Sequence, residues 1–434
     1  MPLPLPPPLD LDALLQSFAP QEIRLGHRRL QAALAAAGHP ERRFAAVQVA
    51  GTNGKGSIST LVHSILRAAG LPAAAYRSPH LQSWCERLQL DDAWISPTQL
   101  RADLLHWRPL AEAHGLTIFE WLTAAAFGRC AAEAERQQLP PAQAAPAAGV
   151  PPARWPYLAV LEVGLGGRLD ATTVHPDRAV VGFGAIGLDH REFLGSTLEA
   201  IAAEKAAVMS PGAVACSAPQ HPAVAAVLER EARERGCTLR WLEPLASEDA
   251  GGPRLGLAGT VQRANGAVAV GMVQALAEQG WPISADAVAT GLARAHWPGR
   301  LQRARWRGTS LLLDGAHNPP GAEVLARELA LLAPAAPGQP RHWLLGIQRQ
   351  KQAAEMLDAL LQPQDRCALV PVPEAASWTV AELLAVRPAL AGRLEAVADL
   401  DAGLAFLHPS PALPVVAGSL HLLGAVHPLL DPEP

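Results

Sequence analysis

Residues 49–57 read Val-Ala-Gly-Thr-Asn-Gly-Lys-Gly-Ser. An apolar run, Phe44 to Ala50, stops at this glycine-rich turn, and a helical pattern, Ile58 to Ala69, follows it. The order predicts a strand, a phosphate loop and a helix. Glycines let backbone N–H groups wrap an anion, the helix N-terminus adds partial positive charge, and Lys55 adds a full one. A nucleotide polyphosphate suits such a loop. The spacing is not that of a Walker A motif, because Gly56 separates Lys55 from Ser57. A glycine-rich turn with a solvated lysine is the plainer alternative.

The chain of 434 residues is long for one domain, and its 49% hydrophobic content supports sizeable cores. A net charge of −4 provides no electrostatic case for nucleic acid or an anionic membrane. The five cysteines, Cys85, Cys130, Cys216, Cys237 and Cys367, form no CxxC pair and suit reduced thiols rather than a disulfide framework or a zinc site. The start, MPLPLPPPLDLD, lacks a basic region and is broken by prolines, so it does not read as a signal peptide. No apolar run is long enough to cross a membrane. These features predict a cytoplasmic protein.

Strand-like and helix-like segments alternate, which predicts parallel α/β sheets. Expected strands in the first part are Phe44–Ala50, Ala73–Arg77, Tyr157–Val163 and Ala179–Ile186; expected helices are Ile58–Ala69, Glu120–Gln137 and Leu198–Met209. Residues 138–156 are rich in Pro and Ala and read as an exposed loop. A second series begins near residue 301, with strands at Ser310–Leu313, His342–Leu345, Cys367–Val372, Leu394–Val397 and Leu413–Ala417. A Trp-Pro-Gly turn at 297–299 marks the boundary, which divides the chain into domains 1–297 and 298–434.

Behind the loop, Glu162 ends an apolar strand and is followed by Gly-Leu-Gly-Gly-Arg-Leu-Asp. A carboxylate there needs a partner. It either holds Mg²⁺ beside phosphates or pairs with Arg168, and the phosphate loop favours the metal. His190 follows another strand, and the Ser78 hydroxyl, ahead of Pro79, is a possible hard oxygen ligand. Lys205, on a helical pattern, reads by itself as a surface lysine. Asp314-Gly-Ala-His-Asn-Pro-Pro reads either as a binding loop or as a simple turn with an Asn-Pro helix start.

Together, VAGTNGKGS (49–57), SPHL…ER (78–87), TIFEWLTAAAF (117–127), LEVGLGGRLDATT (161–173), GLDHREFLGSTLEAIAAEK (187–205), PGR (298–300), LDGAHNP (313–319) and AGSLHLLG (417–424) resemble the folylpolyglutamate synthase/dihydrofolate synthase family of the Mur-ligase superfamily. The order of segments is the family's, the resemblance spans nearly the whole chain, and its overall pattern is that of the bifunctional bacterial type. It implies an N-terminal P-loop NTPase-like parallel-sheet ATPase domain and a smaller C-terminal Rossmann-like α/β domain. It also implies an ATP- and Mg²⁺-dependent amide ligase that forms an acyl phosphate, which the amino group of L-glutamate then attacks. The acceptors implied are dihydropteroate and reduced folates, and a monomer is expected.

The resemblance assigns residues as well. Gly51, Thr52, Asn53, Gly54, Lys55, Gly56 and Ser57 match the ATP loop, and Asn265, Arg300 and Asp314 match positions that grip ATP from the domain interface. Ser78, Glu162 and His190 match metal ligands. Lys205 matches a carbamylated lysine near the metal, which reverses its plainer reading. Asp170 matches an aspartate near the pterin and acceptor site, and His317 and Ser419 match residues tied to the incoming glutamate. Lys55, Lys205, Asp170 and His317 form the implied catalytic set.

Several positions depart from the family pattern. Val261 stands where a histidine is usual, Gln350-Lys351-Gln352 replaces an Asp-Lys-Asp, Arg77 replaces a threonine, and Ala207 replaces a glycine. None is expected to touch the phosphate loop, Glu162, His190 or Lys205. Alternatives are a monofunctional folylpolyglutamate synthase, a Mur-type ligase for another carboxylate, and a nucleotide-binding protein without ligase activity.

Overall fold

The computed structural model describes residues 3–7, 9, 11–15, 23–140, 156–373 and 375–432. Most of the Pro/Ala-rich loop expected at 138–156, residues 141–155, lies outside them. The chain divides into two compact units, Met1–Leu257 with Gln262–His296, and Ala258–Val261 with Trp297–Pro434.

In the first unit the strands are β1 (Ala45–Ala50), β2 (Ala73–Tyr76), β3 (Leu88–Leu90), β4 (Ala93–Trp94), β5 (Leu158–Glu162), β6 (Arg178–Phe183), β7 (Val214–Ser217) and β8 (Thr238–Trp241). They form one sheet in the order β4-β3-β2-β5-β1-β6-β7-β8. From β2 to β8 the pairings are parallel, and β3 and β4 add an antiparallel edge. β1 lies between β5 and β6, so three strands end side by side around the 51–57 loop. Ligands of open parallel sheets bind beyond such carboxyl ends.

Both faces of β1 are covered, which is why it reads as an apolar run interrupted only by Gln48, whose Nε2 donates to Thr172 and Thr173 Oγ1. On one side, Phe44, Tyr76, Trp121, Phe127, Tyr157 and Leu161 form a buried cluster, with Phe44 and Phe127 edge to face at 5.6 Å. The helix Ile118–Arg136 that closes this side starts at a capping box, in which Glu120 N–H donates to Thr117 Oγ1 and Thr117 N–H donates to Glu120 Oε2. The helix Lys55–Ala68 buries Ile58, Leu61, Val62 and Ile65. A further cluster joins Val163, Phe183, Ile201, Ala206 and Met209, tying the helix Leu198–Ala206 to the strand ends.

The second unit holds β9 (Gln302–Trp306), β10 (Thr309–Leu313), β11 (His342–Leu345), β12 (Arg366–Leu369), β13 (Leu394–Ala396) and β14 (Val415–Ala417). Their order is β13-β12-β11-β14-β10-β9, parallel except for β9. Leu312, Leu325, Trp343, Leu345, Met356 and Val415 are among its core residues.

Within this unit Glu328 is fully buried on the helix Pro319–Leu332. Its carboxylate accepts from Thr260 N–H (2.8 Å), Thr260 Oγ1 (2.5 Å) and Val261 N–H (2.8 Å). A side chain more than sixty residues away thus caps the start of the helix Val261–Glu278. Glu328→Ala leaves these donors without their acceptor. It should lower stability by about 3 kcal/mol in urea unfolding, with Glu328→Gln losing less. A change below about 0.5 kcal/mol, the ordinary surface range, would refute the capping role.

Candidate active site

The 51–57 loop is built against the segment after β6. Thr52 and Asn53 N–H both donate to Ala185 O (2.9 and 3.0 Å), and Thr52 Oγ1 bonds to Gly187 O and accepts from Gly187 N–H. A Cβ on Gly184 would strike Asn53 O, so glycine is what permits this approach. These contacts show how the loop's amides divide. Those of Thr52 and Asn53 hold the loop to the sheet. Lys55, Gly56 and Ser57, ahead of the first intrahelical bond from Ile58 N–H to Gly54 O, present theirs at a helix N-terminus. Lys55 Nζ donates to Gly51 O (3.1 Å) and Thr52 O (3.0 Å), which holds the ammonium over the loop.

Gly54 has φ +84°, and a Cβ there would lie 2.5 Å from Asn265 Oδ1. Asn265, from the helix Val261–Glu278, therefore stands against the loop, steadied by donating from Nδ2 to Gln262 Oε1 (2.9 Å). Gly54→Ala should cost about 1–2 kcal/mol from the left-handed backbone alone and push Asn265 away. Melting and nucleotide titration check it together, and unchanged values in both would refute the packing argument.

Glu162 ends β5 and is 4% exposed. Its expected alternative partner is ruled out, because Arg168 pairs with Glu204, Nε to Oε1 at 2.9 Å. Against the expectation that none of the departures touches Glu162, the fold sets Arg77 beside it. β2 and β5 pair Ala75 with Val160 and Tyr76 with Leu161, so Arg77 follows in step with Glu162. Arg77 is 1% exposed, and its Nη1 donates to Gln89 Oε1 (3.0 Å). Burial lowers the guanidinium to about 10, and the charge of Glu162 opposes that fall. Ser78, half-buried, follows at once.

Strand β6 ends at Phe183, three residues before the expected Ile186. Residues 184–190 form a loop that Gln220 fixes, accepting from Ile186 N–H and donating to Gly184 O. His190 closes that loop with φ 50°, next to buried Asp189, whose Oδ1 accepts from His190 N–H (2.9 Å). Lys205, on the helix Leu198–Ala206, is not a surface residue but 4% exposed. Burial drops its ammonium to about 7, Lys55 pushing the same way and Asp189 and Asp170 opposing.

Asp170 organises the turn between β5 and β6. Oδ2 accepts from Gly164 and Leu165 N–H (3.0 Å each), and Oδ1 accepts from Thr172 N–H (2.9 Å) and Thr172 Oγ1 (2.5 Å). Four donors on one carboxylate make it a positioning group. Burial nonetheless raises its pKa above the usual range. His27 Nε2 donates to Asp170 O (3.0 Å), which joins the 23–27 segment to this turn.

In the second unit, Asp314 follows β10. It accepts from Leu301 N–H and Ala316 N–H (2.9 Å each). Burial raises its pKa, and the charge of Arg300 pulls it back. Gly418 N–H donates to Ala316 O (2.9 Å), which sets the Ser419 turn beside the His317 turn. His317 Nδ1 donates to Gly315 O (2.8 Å), and buried Ser419 caps the helix Leu420–Val426 by accepting from His421 N–H. Asn318 caps the helix Pro319–Leu332, so the Asn-Pro helix start is real and coexists with the clustered side chains. At the departures, Val261 N–H serves Glu328, and Lys351 O accepts from Trp378 Nε1 (3.0 Å).

Sequence reasoning missed Arg77, Asp189 and Gln220 as neighbours of the site. Asp189 was legible beside His190. The other two depend on strand register and on a return of the chain, for which no local signal exists. Among the described residues, no group of three or more His, Cys, Asp or Glu side chains is arranged to hold a metal ion. All five cysteines are free.

A family model described as "Dihydrofolate synthetase, C-terminal domain" matches residues 300–377. The folylpolyglutamate synthase of Lacticaseibacillus casei is 31% identical over 390 residues, covering 83% of this chain and 84% of that one. The dihydrofolate synthase/folylpolyglutamate synthase of Bacillus subtilis is 31% identical over 336 residues, 71% of this chain and 72% of that one. The chain belongs to the folylpolyglutamate synthase/dihydrofolate synthase family. Its class is that of ATP-dependent ligases, and the two-unit architecture is the family's. The folylpolyglutamate synthase of Mycobacterium tuberculosis, solved with ADP and AMPPCP, superposes with a TM-score of 0.82 at 27% identity, covering 98% of both chains.

Proposed function

We propose that this chain joins L-glutamate to dihydropteroate and further glutamates to reduced folates, with ATP as the phosphoryl donor. The observation that carries the reading is the 51–57 loop, where the helix N-terminus and the Lys55 ammonium meet at the end of β1, the strand that pairs with the one ending in buried Glu162. The relative solved with ADP and AMPPCP supports a nucleotide as ligand. Residues 1–297 act as the ATP-binding domain and 298–434 as the glutamate-ligase domain.

In the reaction, an oxygen of the acceptor's carboxylate bonds to the γ-phosphorus and the bond to ADP breaks. Lys55 and the amides of Lys55, Gly56 and Ser57 stabilise charge on the transferring group. The glutamate amine then attacks the acyl carbon, inorganic phosphate leaves, and the amine gives up a proton. Asn265, Arg300 and Asp314 grip the nucleotide. His317 and Ser419 receive the glutamate, and Asp170 shapes the acceptor's turn. Glu162, Ser78 and His190 would hold Mg²⁺, which neutralises phosphate charge when bound. A carboxylate ending β5 and a hydroxyl two residues beyond the neighbouring β2 are hard oxygen donors that fit that ion.

Lys205 carries a carbamate. The nitrogen of the neutral amine bonds to the carbon of CO₂ and releases one proton, leaving a buried anion. The low pKa of the amine supports this. The enzyme works as a monomer in the cytoplasm and takes neither nucleic acid nor membrane as partner. No helix of the described residues is long and apolar enough to cross a membrane.

The test is ADP release by the purified protein with MgATP and L-glutamate, comparing dihydropteroate with tetrahydrofolate. Turnover with both is the expected result. Turnover with one keeps the chemistry and removes bifunctionality, and turnover with neither overturns the reading.

A further inference from the structure

The parallel pairing of β2 with β5 makes Arg77 the in-step neighbour of Glu162, and alternation along strands puts both side chains on the same sheet face. That face is the one covered by the helix Lys55–Ala68. His63 of that helix donates from Nε2 to Ala73 O (3.3 Å). Burial, and then the charge of Arg77, drop His63 to about 3, so it stays neutral. Gln89, across the antiparallel edge, accepts from Arg77 Nη1 and anchors the guanidinium from the other side. A full positive charge is thereby fixed next to the carboxylate assigned to the metal.

We propose that Arg77 sets the divalent-cation affinity of this site and couples it to nucleotide. The inference rests on the reading of Glu162 as a metal ligand. With no nucleotide, the guanidinium is the counter-charge of Glu162 and repels a dication at the same carboxylate. Like charges that close cost far more in a protein interior than in water. When a nucleoside polyphosphate occupies the 51–57 loop, its negative charge offsets Arg77 and the dication binds. Metal therefore enters with nucleotide and leaves with it. Arg77 is a positioning residue here, acting through Glu162.

The experiment is a Mn²⁺ titration followed by EPR, with and without AMPPCP, on the full-length protein. The variants are Arg77→Thr, Arg77→Met, Arg77→Lys and Glu162→Gln. Arg77→Met keeps most of the buried volume should Arg77→Thr melt too early. The expected result is wild-type protein that binds Mn²⁺ weakly alone and strongly with AMPPCP. Arg77→Thr or Arg77→Met tightens binding of Mn²⁺ alone at least tenfold and narrows the gap between the two conditions. Arg77→Lys, which keeps the charge, behaves as wild type. If the neutral variants shift Mn²⁺ affinity less than threefold while Glu162→Gln weakens it, the inference is overturned and the metal reading survives. If Glu162→Gln leaves Mn²⁺ binding with AMPPCP unchanged, the metal reading fails and takes the inference with it.

Discussion

Lys55→Ala should lower kcat for ADP release roughly a thousandfold, the upper range for removing one preorganised donor from a transition state. The ammonium is already placed, held by the carbonyls of Gly51 and Thr52 over the start of its own helix. Its loss removes the full charge and leaves only the amides of the helix N-terminus. The fold should be unaffected, because the helix keeps its buried face of Ile58, Leu61, Val62 and Ile65. The melting temperature should therefore stay near wild type while turnover collapses. A Lys55→Ala enzyme that keeps ATP turnover within tenfold of wild type would falsify the phosphate-loop reading.

The second large effect is expected at Lys205. Its folded-state pKa of about 7 lies far below the unfolded value of 10.5. At pH 7 half of the amine is neutral and able to take up CO₂, against about one in three thousand for an ordinary lysine. Activity should accordingly fall as pH drops below about 7 and recover with added bicarbonate. Lys205→Arg, which cannot carry the carbamate, should lose about a hundredfold in kcat, and intact-protein mass spectra should show the added CO₂ in wild type only. Full activity in the arginine variant would end the carbamate proposal.

The same shift makes a stability statement for protein freed of CO₂. Below about pH 7 Lys205 is charged in both states, and its burial as a cation weighs against folding. Between about 7 and 10.5 the unfolded chain binds the additional proton, so stability rises with pH across that window. Lys205→Met should flatten the rise. A slope that persists in that variant would assign it to other groups.

Much of the first sheet was legible. β1, β2, β5 and β6 are apolar runs bounded by turns, and runs buried on both faces leave that trace. β9 was hidden because its exposed arginines alternate with less exposed residues, in the manner of an edge strand. The helix Pro97–His114, with Ser96 capping and Pro97 at its start, carries an N-terminal signal in its sequence. Arg168, the alternative partner for Glu162 because it is close in sequence, reaches Glu204 on a helix that returns only after β6.

By itself, the sequence determined the chemistry's ingredients. Glycines, a lysine and a helix start within nine residues impose a local geometry that needs no distant partner. Which groups surround that geometry was decided by tertiary structure alone. Strand register put Arg77 beside Glu162, burial turned Lys205 from a surface cation into an amine near neutrality, and the return of Ala185 and Gly187 divided the loop's amides between the sheet and the helix N-terminus. The physical reason is one of range. Backbone propensity and helix-terminus charge act over a few residues, while desolvation and charge pairing depend on which distant segments the sheet brings together.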